Sequence, residues 1–271
     1  MKNYRHEKLN ERIIRIVDDT ETACYLVIGE KKACLLDTCN GLGNIREYVE
    51  TLTNKPIFVI LTHGHHDHIG GANLFDEIYI NEKDLLICEK FGTIEERLTF
   101  LQRQLPNDKV TEKDIQPLVN LEIIKPVQND QIFDLGNLHI QMISVKGHTP
   151  GMMCPLIIEE RSIIFGDACG VCVMLLDEYS SCVSEYKESL LNLKKYESRY
   201  DYIYRNHGTF WSPKELLDNV IECCDLILNK QDDHYPIELH QFNMFAAKKI
   251  ENGSRIDGKQ GNLCYIEEKA H

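Results

Sequence analysis

The chain has 271 residues, and its 43 Asp and Glu residues against 30 Lys and Arg give a formal net charge of −13. This acidic balance repels phosphate backbones and anionic membrane surfaces, so we expect a partner that is neither a nucleic acid nor a membrane. The amino terminus carries charges where a signal peptide needs its apolar centre, and no later segment approaches the length of a membrane span, which predicts a cytoplasmic location.

The first part of the chain alternates short apolar runs with polar turns. Runs at 13–17, 25–29 and 33–37 predict an opening antiparallel meander. Residues 44–52 place apolar side chains at i, i+3, i+4 and i+7, which indicates a helix, and the apolar run at 57–61 then predicts a buried strand. The next stretch, 82–119, is more charged and contains two prolines, so we expect a helical insertion or lid there.

The second part of the chain predicts another sheet. Four strand candidates recur at hairpin spacing between residues 132 and 166, and a further short strand over 201–208 should end at His207. The tail from about residue 232 has no clear period. This order of strands and helices fits two sheets packed together with helices outside, and we expect residues 1–271 to form a single domain.

Two amphipathic helices are predicted over 184–196 and 212–228. The second has Ser212 as its N-cap, Pro213 at its first helical position and Glu215 completing a capping box. This start is the best-defined element boundary in the sequence.

The eleven cysteines are scattered along apolar segments, unlike those of a small secreted disulfide scaffold. Cys169 and Cys172 form a C-x-x-C motif, but no second cysteine pair and no thioredoxin-like context accompanies them. We therefore predict reduced thiols, with residues 169–176 lining a substrate pocket.

The most informative stretch, LTHGHHDHIGG at 61–71, directly follows the buried strand. Four of its residues have an H-x-H-x-D-H spacing and are ligand types that zinc prefers: His63, His65, Asp67 and His68. Because alternate residues share a side, His63 and His65 can face one ion while the last two residues reach toward a second position. His66 is then expected to point elsewhere and not to bind metal.

Three later turns each place one potential ligand beside a glycine. They are GHTPG with His148, FGDA with Asp167 and NHG with His207. Any one of them alone would be interpreted as a hydrogen-bonded turn residue, and the first cluster alone as a histidine-rich surface tract that binds metal adventitiously. The buried strand before the cluster, the glycines after it and the three matching turns favour a metal site instead.

Together, the H-x-H-x-D-H motif and the later His, Asp and His motifs resemble the metallo-β-lactamase superfamily over residues 11 to about 228. The resemblance implies an α/β fold of four layers, an αββα sandwich of two mostly antiparallel or mixed sheets with outer helices. It also implies that His63, His65 and His148 hold a first metal ion. Asp67, His68 and His207 would hold a second ion, and Asp167 would bridge both.

We expect two divalent metal ions, with zinc as the first choice and iron or manganese as alternatives. A hydroxide shared by two such ions forms at neutral pH because coordination lowers the pKa of water from about 15.7 to about 7. The two ions, two carboxylates and one hydroxide leave a net charge of about +1, which attracts an anionic small-molecule substrate. Asp67 is a candidate catalytic residue that shuttles a proton, although it could equally serve only as a ligand.

The aspartate-bridged pattern looks most like glyoxalase II, lactonases and related thioesterases. We therefore expect a metal-dependent hydrolase that cleaves an ester, lactone or thioester of a small molecule. An iron-dependent oxidoreductase similar to persulfide dioxygenases is the alternative from another reaction class, and a non-catalytic metal-binding protein is a third. The sequence leaves the substrate and the oligomeric state open.

Overall fold

The structure, a computed structural model, describes residues 4–239 and 242–271. Its contacts divide the chain into two compact units, Met1–Met142 with Asn206–Gly208 and Ile143–Arg205 with Thr209–His271. Each unit has its own apolar core. The single domain over 1–271 stays a prediction. Among the described residues, no helix is long and apolar enough to cross a membrane, and the cytoplasmic location stays a prediction.

The first unit contains a seven-stranded sheet whose strands are neighbours in chain order. They are β1 (Arg5–Lys8), β2 (Ile13–Val17), β3 (Ala23–Ile28), β4 (Ala33–Leu36), β5 (Ile57–Ile60), β6 (Ile78–Ile80) and β7 (Lys125–Pro126). The strands from β1 to β4 pair antiparallel, which confirms the predicted meander, and those from β4 to β7 pair parallel. Strand β1 was not predicted because all four of its residues are exposed and polar, so it has no apolar alternation.

The helices of the first unit are α1 (Ile45–Glu50), α2 (His66–Ile69), α3 (Leu85–Phe91) and α4 (Ile94–Gln104). The Asn44 side chain caps α1 by accepting from the backbone N–H of Glu47, and Ile45 and Val49 bury one stripe against the sheet core. In the predicted helical stretch 82–119, the α-helix ends at Gln104. Beyond it, up to residue 119, only the 3-10 turn Glu112–Asp114 is helical. That these residues form an insertion or lid stays a prediction.

The predicted hairpins near the middle of the chain are present. β8 (Ile132–Asp134) pairs antiparallel with β9 (His139–Ser144), and β10 (Met153–Ile157) pairs antiparallel with β11 (Ser162–Ile164). In the second unit, β11 pairs parallel with β13 (Tyr202–Tyr204), which pairs antiparallel with β14 (Trp211–Ser212). The strand predicted to end at His207 therefore ends at Tyr204, and His207 lies in the loop before β14.

A four-stranded sheet in the second unit uses mostly the C-terminal tail. Its order is β12 (Val173–Leu175), β19 (Leu263–Tyr265), β16 (Phe242–Ala246) and β15 (Tyr235–Leu239), and β17 (Ile250–Glu251) and β18 (Ser254–Arg255) form a separate hairpin. The tail strands are two to five residues long. Strands this short hold too few alternations to give a period in the sequence.

Two helices, α5 (Val183–Lys194) and α6 (Glu215–Leu228), pack on the core of the second unit. The predicted start of the second helix was wrong, because α6 begins at Glu215 and Ser212 belongs to β14. The Ser212 hydroxyl accepts a hydrogen bond from Arg205 Nε at 2.8 Å, so it is engaged by the neighbouring strand rather than by the helix.

Cys172 and Cys264 form a disulfide, so the prediction of reduced thiols was wrong for these two residues. The bond links the residue before β12 to β19, the strand with which β12 pairs in parallel. The two cysteines are 92 residues apart, a distance over which spacing gives no signal. Cys169, the other half of the C-x-x-C motif, is a free, buried thiol.

Thiol labelling of the native protein should therefore modify Cys182 alone. All eleven cysteines lie in the described part of the chain, and eight of the nine free ones are buried. Burial raises the pKa of the Cys223 thiol to about 11 and also raises that of Cys34, which keeps both protonated and unreactive. Mass spectrometry should count one maleimide adduct in the native protein, nine after unfolding without reductant and eleven with reductant. Eleven adducts without reductant would contradict the disulfide.

Candidate metal centre

The histidine-rich turn lies at the carboxyl end of β5, as the sequence predicts. His63 and His65 occupy the turn itself, and Asp67 and His68 lie in the short helix α2. Gly64 separates the first two histidines because a Cβ at this position would come within 2.7 Å of the Asp84 carbonyl oxygen. The Asp84 side chain also accepts from the Gly64 backbone N–H at 3.0 Å, which fixes the turn to the start of α3.

Three predicted ligands come together within the first unit. Asp67, His68 and His207 each offer a ligand atom, and these atoms lie within 4.8 Å of one another. Asp67 Oδ2 is 3.3 Å from His207 Nε2, and Asp67 Oδ1 is 3.7 Å from His68 Nε2. His68 is fully buried, whereas the His207 side chain is 40% exposed, so this group has one side toward solvent.

The two histidines assigned to the other ion also face each other. His63 Nε2 lies 3.1 Å from His65 Nδ1, and the two rings meet edge to face. The other ring nitrogen of His63, Nδ1, lies 3.1 Å from the Thr62 hydroxyl. Both imidazoles therefore direct a nitrogen to the same point on the turn.

Asp37, to which the sequence analysis gave no role, orients His68 in the group of Asp67, His68 and His207. It follows β4, is buried, and its Oδ2 accepts from His68 Nδ1 at 2.9 Å. The same carboxylate accepts from the backbone N–H of Thr62 at 2.7 Å and from its hydroxyl at 2.9 Å. A carboxylate on Nδ1 fixes the tautomer of His68 and leaves Nε2 to face Asp67, as in the carboxylate–histidine pairs that support metal sites.

Asn206 extends this support to the loop that carries His207. Its side-chain amide donates to Asp37 Oδ2 at 2.9 Å and to the Ala23 carbonyl oxygen at 2.7 Å. Asn206 is fully buried, so these bonds hold the residue next to His207 in a fixed position. One buried carboxylate thereby connects strand β4, the histidine-rich turn and the His207 loop.

The charge state of Asp67 suits a ligand. Burial by itself would raise the pKa of this carboxyl group, but the adjacent His68 and the contacts with His207 and His66 outweigh it and hold the pKa well below its usual range. His66 lies outside the group of three, with its ring against Phe100 of α4 at a centroid distance of 4.1 Å.

The other two predicted ligands belong to the second unit. His148 Nε2 is 3.7 Å from Asp167 Oδ2, and His148 Nδ1 lies 2.8 Å from the Met174 carbonyl oxygen. That carbonyl fixes the tautomer of His148 and leaves Nε2 on the side of Asp167. Gly147, the glycine before His148, makes room for Tyr186, whose ring would lie 2.2 Å from a Cβ there.

The donor set fits a borderline divalent metal such as zinc. Imidazole nitrogens and carboxylate oxygens are typical zinc ligands, and the Asp37 carboxylate behind His68 and the Met174 carbonyl behind His148 support one histidine in each unit. The arrangement within each unit thus supplies ligand atoms that are deprotonated or oriented for coordination.

Replacing Asp37 by asparagine should weaken metal binding by roughly 10–100-fold, the usual effect of removing a partner behind a metal ligand. The asparagine keeps the volume but has one acceptor oxygen where Asp37 has two, Oδ2 for His68 and Oδ1 for the Thr62 backbone N–H, so it cannot make both bonds. Zinc affinity is measured by competition with a chromophoric chelator. Asp18→Asn is the matched control, because Asp18 is an equally buried carboxylate that binds Asn40 and Thr20 rather than the histidines. Equal zinc affinity in both variants would refute the role of Asp37.

The family model of the metallo-beta-lactamase superfamily matches residues 17–203 of this chain. The chain belongs to the metallo-beta-lactamase superfamily. This confirms the resemblance inferred from the H-x-H-x-D-H motif and the later ligands.

Individual superfamily members are similar at low identity. An acyl-coenzyme A thioesterase of Homo sapiens is 23% identical over 185 residues, which cover 60% of this chain and 64% of that protein. The Bacillus subtilis protein named "Probable polyketide biosynthesis zinc-dependent hydrolase PksB" is 24% identical over 212 residues, or 73% of this chain and 78% of that protein. The match thus spans less than two thirds of the human thioesterase.

A solved structure confirms the predicted fold class. The metallo-beta-lactamase from Pontibacter korlensis superposes with a TM-score of 0.57 at 15% identity, and the match covers 82% of this chain and 99% of that one. The mixed sheets and helices of this chain are therefore an α/β structure with the metallo-beta-lactamase fold.

Proposed function

We propose that this protein is a binuclear metallo-hydrolase that cleaves a thioester, ester or lactone bond of a small molecule. The observation that carries the proposal is the approach of Asp67, His68 and His207 to within 4.8 Å, with a buried carboxylate behind them. Two imidazoles and one ionised carboxylate at this spacing form a site for a divalent metal ion. Membership of a superfamily with hydrolase relatives supports hydrolysis as the reaction.

We assign Asp67, His68 and His207 to one ion and His63, His65 and His148 to the other, with Asp167 as the shared ligand. The contacts within each unit support this division. His63 and His65 face each other at 3.1 Å, and His148 faces Asp167 at 3.7 Å. Zinc is our first choice of metal because this donor set suits it and because a relative's name describes a zinc-dependent hydrolase. Iron and manganese are the alternatives.

When bound, two divalent ions supply Lewis acidity and an activated water at neutral pH. The residues of the chain have a different task, which is to hold the ligands in place before substrate arrives. Asp37 fixes the His68 tautomer, and Asn206 fixes the backbone beside His207. Asp67 is also our candidate for proton shuttling. Its lowered pKa makes the carboxylate a good ligand and a weak base, which favours ligation as its main role.

A thioester is the substrate class that the comparisons favour, since the human relative is named an acyl-coenzyme A thioesterase. The exposed side of His207 leaves this group open to solvent, as a small-molecule substrate requires. An anionic substrate suits the net positive charge of a site with two divalent ions, about +1 once the carboxylates and one hydroxide are counted.

The test is a substrate panel with controlled metal content. Protein stripped with a chelator is assayed before and after zinc is added, against an acyl-coenzyme A, an aryl ester, a lactone and a phosphodiester. We expect hydrolysis of a carbonyl substrate that disappears with the metal and returns with zinc. A folded, zinc-loaded protein that is inactive on the whole panel would favour a non-catalytic metal-binding protein. Oxygen consumption with a persulfide by iron-loaded protein would favour the oxidoreductase.

A further inference from the structure

His66 occupies an unexpected place for a histidine that is not a ligand. It is the first residue of α2 and precedes Asp67 directly. One face of its ring lies against the Phe100 ring of α4 at a centroid distance of 4.1 Å. Its Nδ1 atom is buried without a hydrogen-bond partner in the described structure, and it lies 3.3 Å from Asp67 Oδ1. A buried ring nitrogen this close to a carboxylate oxygen indicates a hydrogen bond from His66 Nδ1 to Asp67 Oδ1.

Asp67 needs such a partner if it is to bind metal in one orientation. The terminal torsion of an aspartate is broad and nearly two-fold, so the two oxygens exchange unless something distinguishes them. Oδ2 lies toward His207 Nε2 at 3.3 Å, and Oδ1 lies toward both His66 Nδ1 and, at 3.7 Å, His68 Nε2. A donor fixed on Oδ1 would leave Oδ2 for coordination.

Helix α4 holds His66 in this position, and α4 is itself firmly anchored. Three residues before Phe100, the buried Arg97 guanidinium donates to the carbonyl oxygens of Asn40 at 2.8 Å and Gly70 at 2.9 Å. Gly70 is the C-cap of α2. The same helix therefore contacts α2 at its first residue through an aromatic ring and at its end through a charged hydrogen bond.

We propose that His66 is a positioning residue that donates its Nδ1 hydrogen to Asp67 Oδ1, with Phe100 holding the imidazole ring in place. This inference rests on the proposed function, in which Asp67 is a metal ligand. It gives helix α4 a role in supporting the metal centre, and it gives His66, the one histidine of residues 61–71 that is not a predicted ligand, a role other than coordination. Outer partners of metal ligands typically contribute 10–100-fold to metal affinity.

Two substitutions of similar size separate the hydrogen bond from the packing. The amide nitrogen of His66→Asn can take the place of Nδ1, whereas His66→Leu fills the same space without a donor. We expect His66→Leu to lower zinc affinity by roughly 10–100-fold and kcat by a similar factor with little change in KM, and His66→Asn to stay within about 3-fold of the wild type. Zinc affinity is read by chelator competition and does not depend on any substrate.

The inference is overturned if His66→Leu binds zinc as tightly as the wild type, or if both variants lose affinity equally while their melting temperatures match that of the wild type. In the second case zinc affinity would depend on the packing of the imidazole ring and not on the Nδ1 hydrogen bond. Failure of the proposed function has a different signature, because a wild-type protein that binds zinc with His66-dependent affinity yet hydrolyses nothing would refute the hydrolase alone.

Discussion

Replacement of His68 by alanine is expected to remove one metal ion per chain and to lower hydrolysis by more than about 100-fold. Loss of a partner behind a ligand costs up to about 100-fold, and loss of the ligand itself should cost more. His68 is fully buried between Asp37, which accepts from its Nδ1, and Asp67, which faces its Nε2. The alanine removes the ligand nitrogen and one of the three hydrogen bonds that Asp37 Oδ2 accepts, the others coming from Thr62 and Asn206, a loss of about 1.5–3 kcal/mol in stability. Metal content and kcat are measured on the same preparation.

The control for this variant is His139→Ala. His139 lies on β9, where its side chain is 39% exposed and faces the exposed Asp134. We expect this change to leave the metal content and the turnover at wild-type values. A His68→Ala protein that retained its full metal content and turned over substrate like the His139 variant would exclude His68 as a ligand.

Replacement of Arg97 by methionine is expected to destabilise the fold by roughly 3–5 kcal/mol, because it removes the guanidinium donor from two buried carbonyl oxygens and one half-buried one. The guanidinium donates to Gln116 at 2.5 Å as well as to Asn40 and Gly70. Desolvation lowers the pKa of Arg97 to about 10, so the side chain still carries its charge at neutral pH. Methionine keeps much of the apolar stem but offers no donor.

Urea unfolding measures this loss against a matched variant on the same helix. Arg103 also lies on α4 but is exposed, so Arg103→Met should change the free energy of unfolding by less than about 0.5 kcal/mol. A comparable, small effect for Arg97→Met would mean that helix α4 is not anchored through this residue. Because Gly70 is the C-cap of α2, which carries Asp67 and His68, we also expect the Arg97 variant to bind zinc more weakly at temperatures where it remains folded.

Features with a local period could be predicted from the sequence. The opening meander, helix α1 and the hairpins after residue 132 follow apolar patterns that report burial directly. The histidine-rich turn could be placed at a strand end for the same reason. Superfamily membership then followed from the order of the motifs, and the family model confirms it.

The residues that support the site could not be predicted, because their partners are distant in the chain. Asp37 bonds Thr62, His68 and Asn206 across 25, 31 and 169 residues. In the sequence it is only a polar residue that ends an apolar run. Arg97 resembles any charge on the solvent side of a helix, yet it is buried. Such roles depend on which segments the fold brings together and leave no spacing signal.

The wrong expectations have the same cause. Ser212 has the sequence signature of an N-cap, but it lies in β14, which pairs with β13, and its hydroxyl accepts a hydrogen bond from Arg205. Cys172 has a nearer cysteine at position 169, but the pairing of β12 with β19 brings it to Cys264 instead. In both cases tertiary pairing outweighs a local preference.

The most direct test of a two-metal hydrolytic centre is a titration of metal-free protein with zinc in which bound metal and the rate of thioester hydrolysis are measured at each point. We predict that the rate rises until two zinc ions are bound per chain and then stays constant. A protein that saturates with one ion, gains no thioesterase or esterase activity from zinc, and instead consumes oxygen with a persulfide when loaded with one iron would contradict the proposed function.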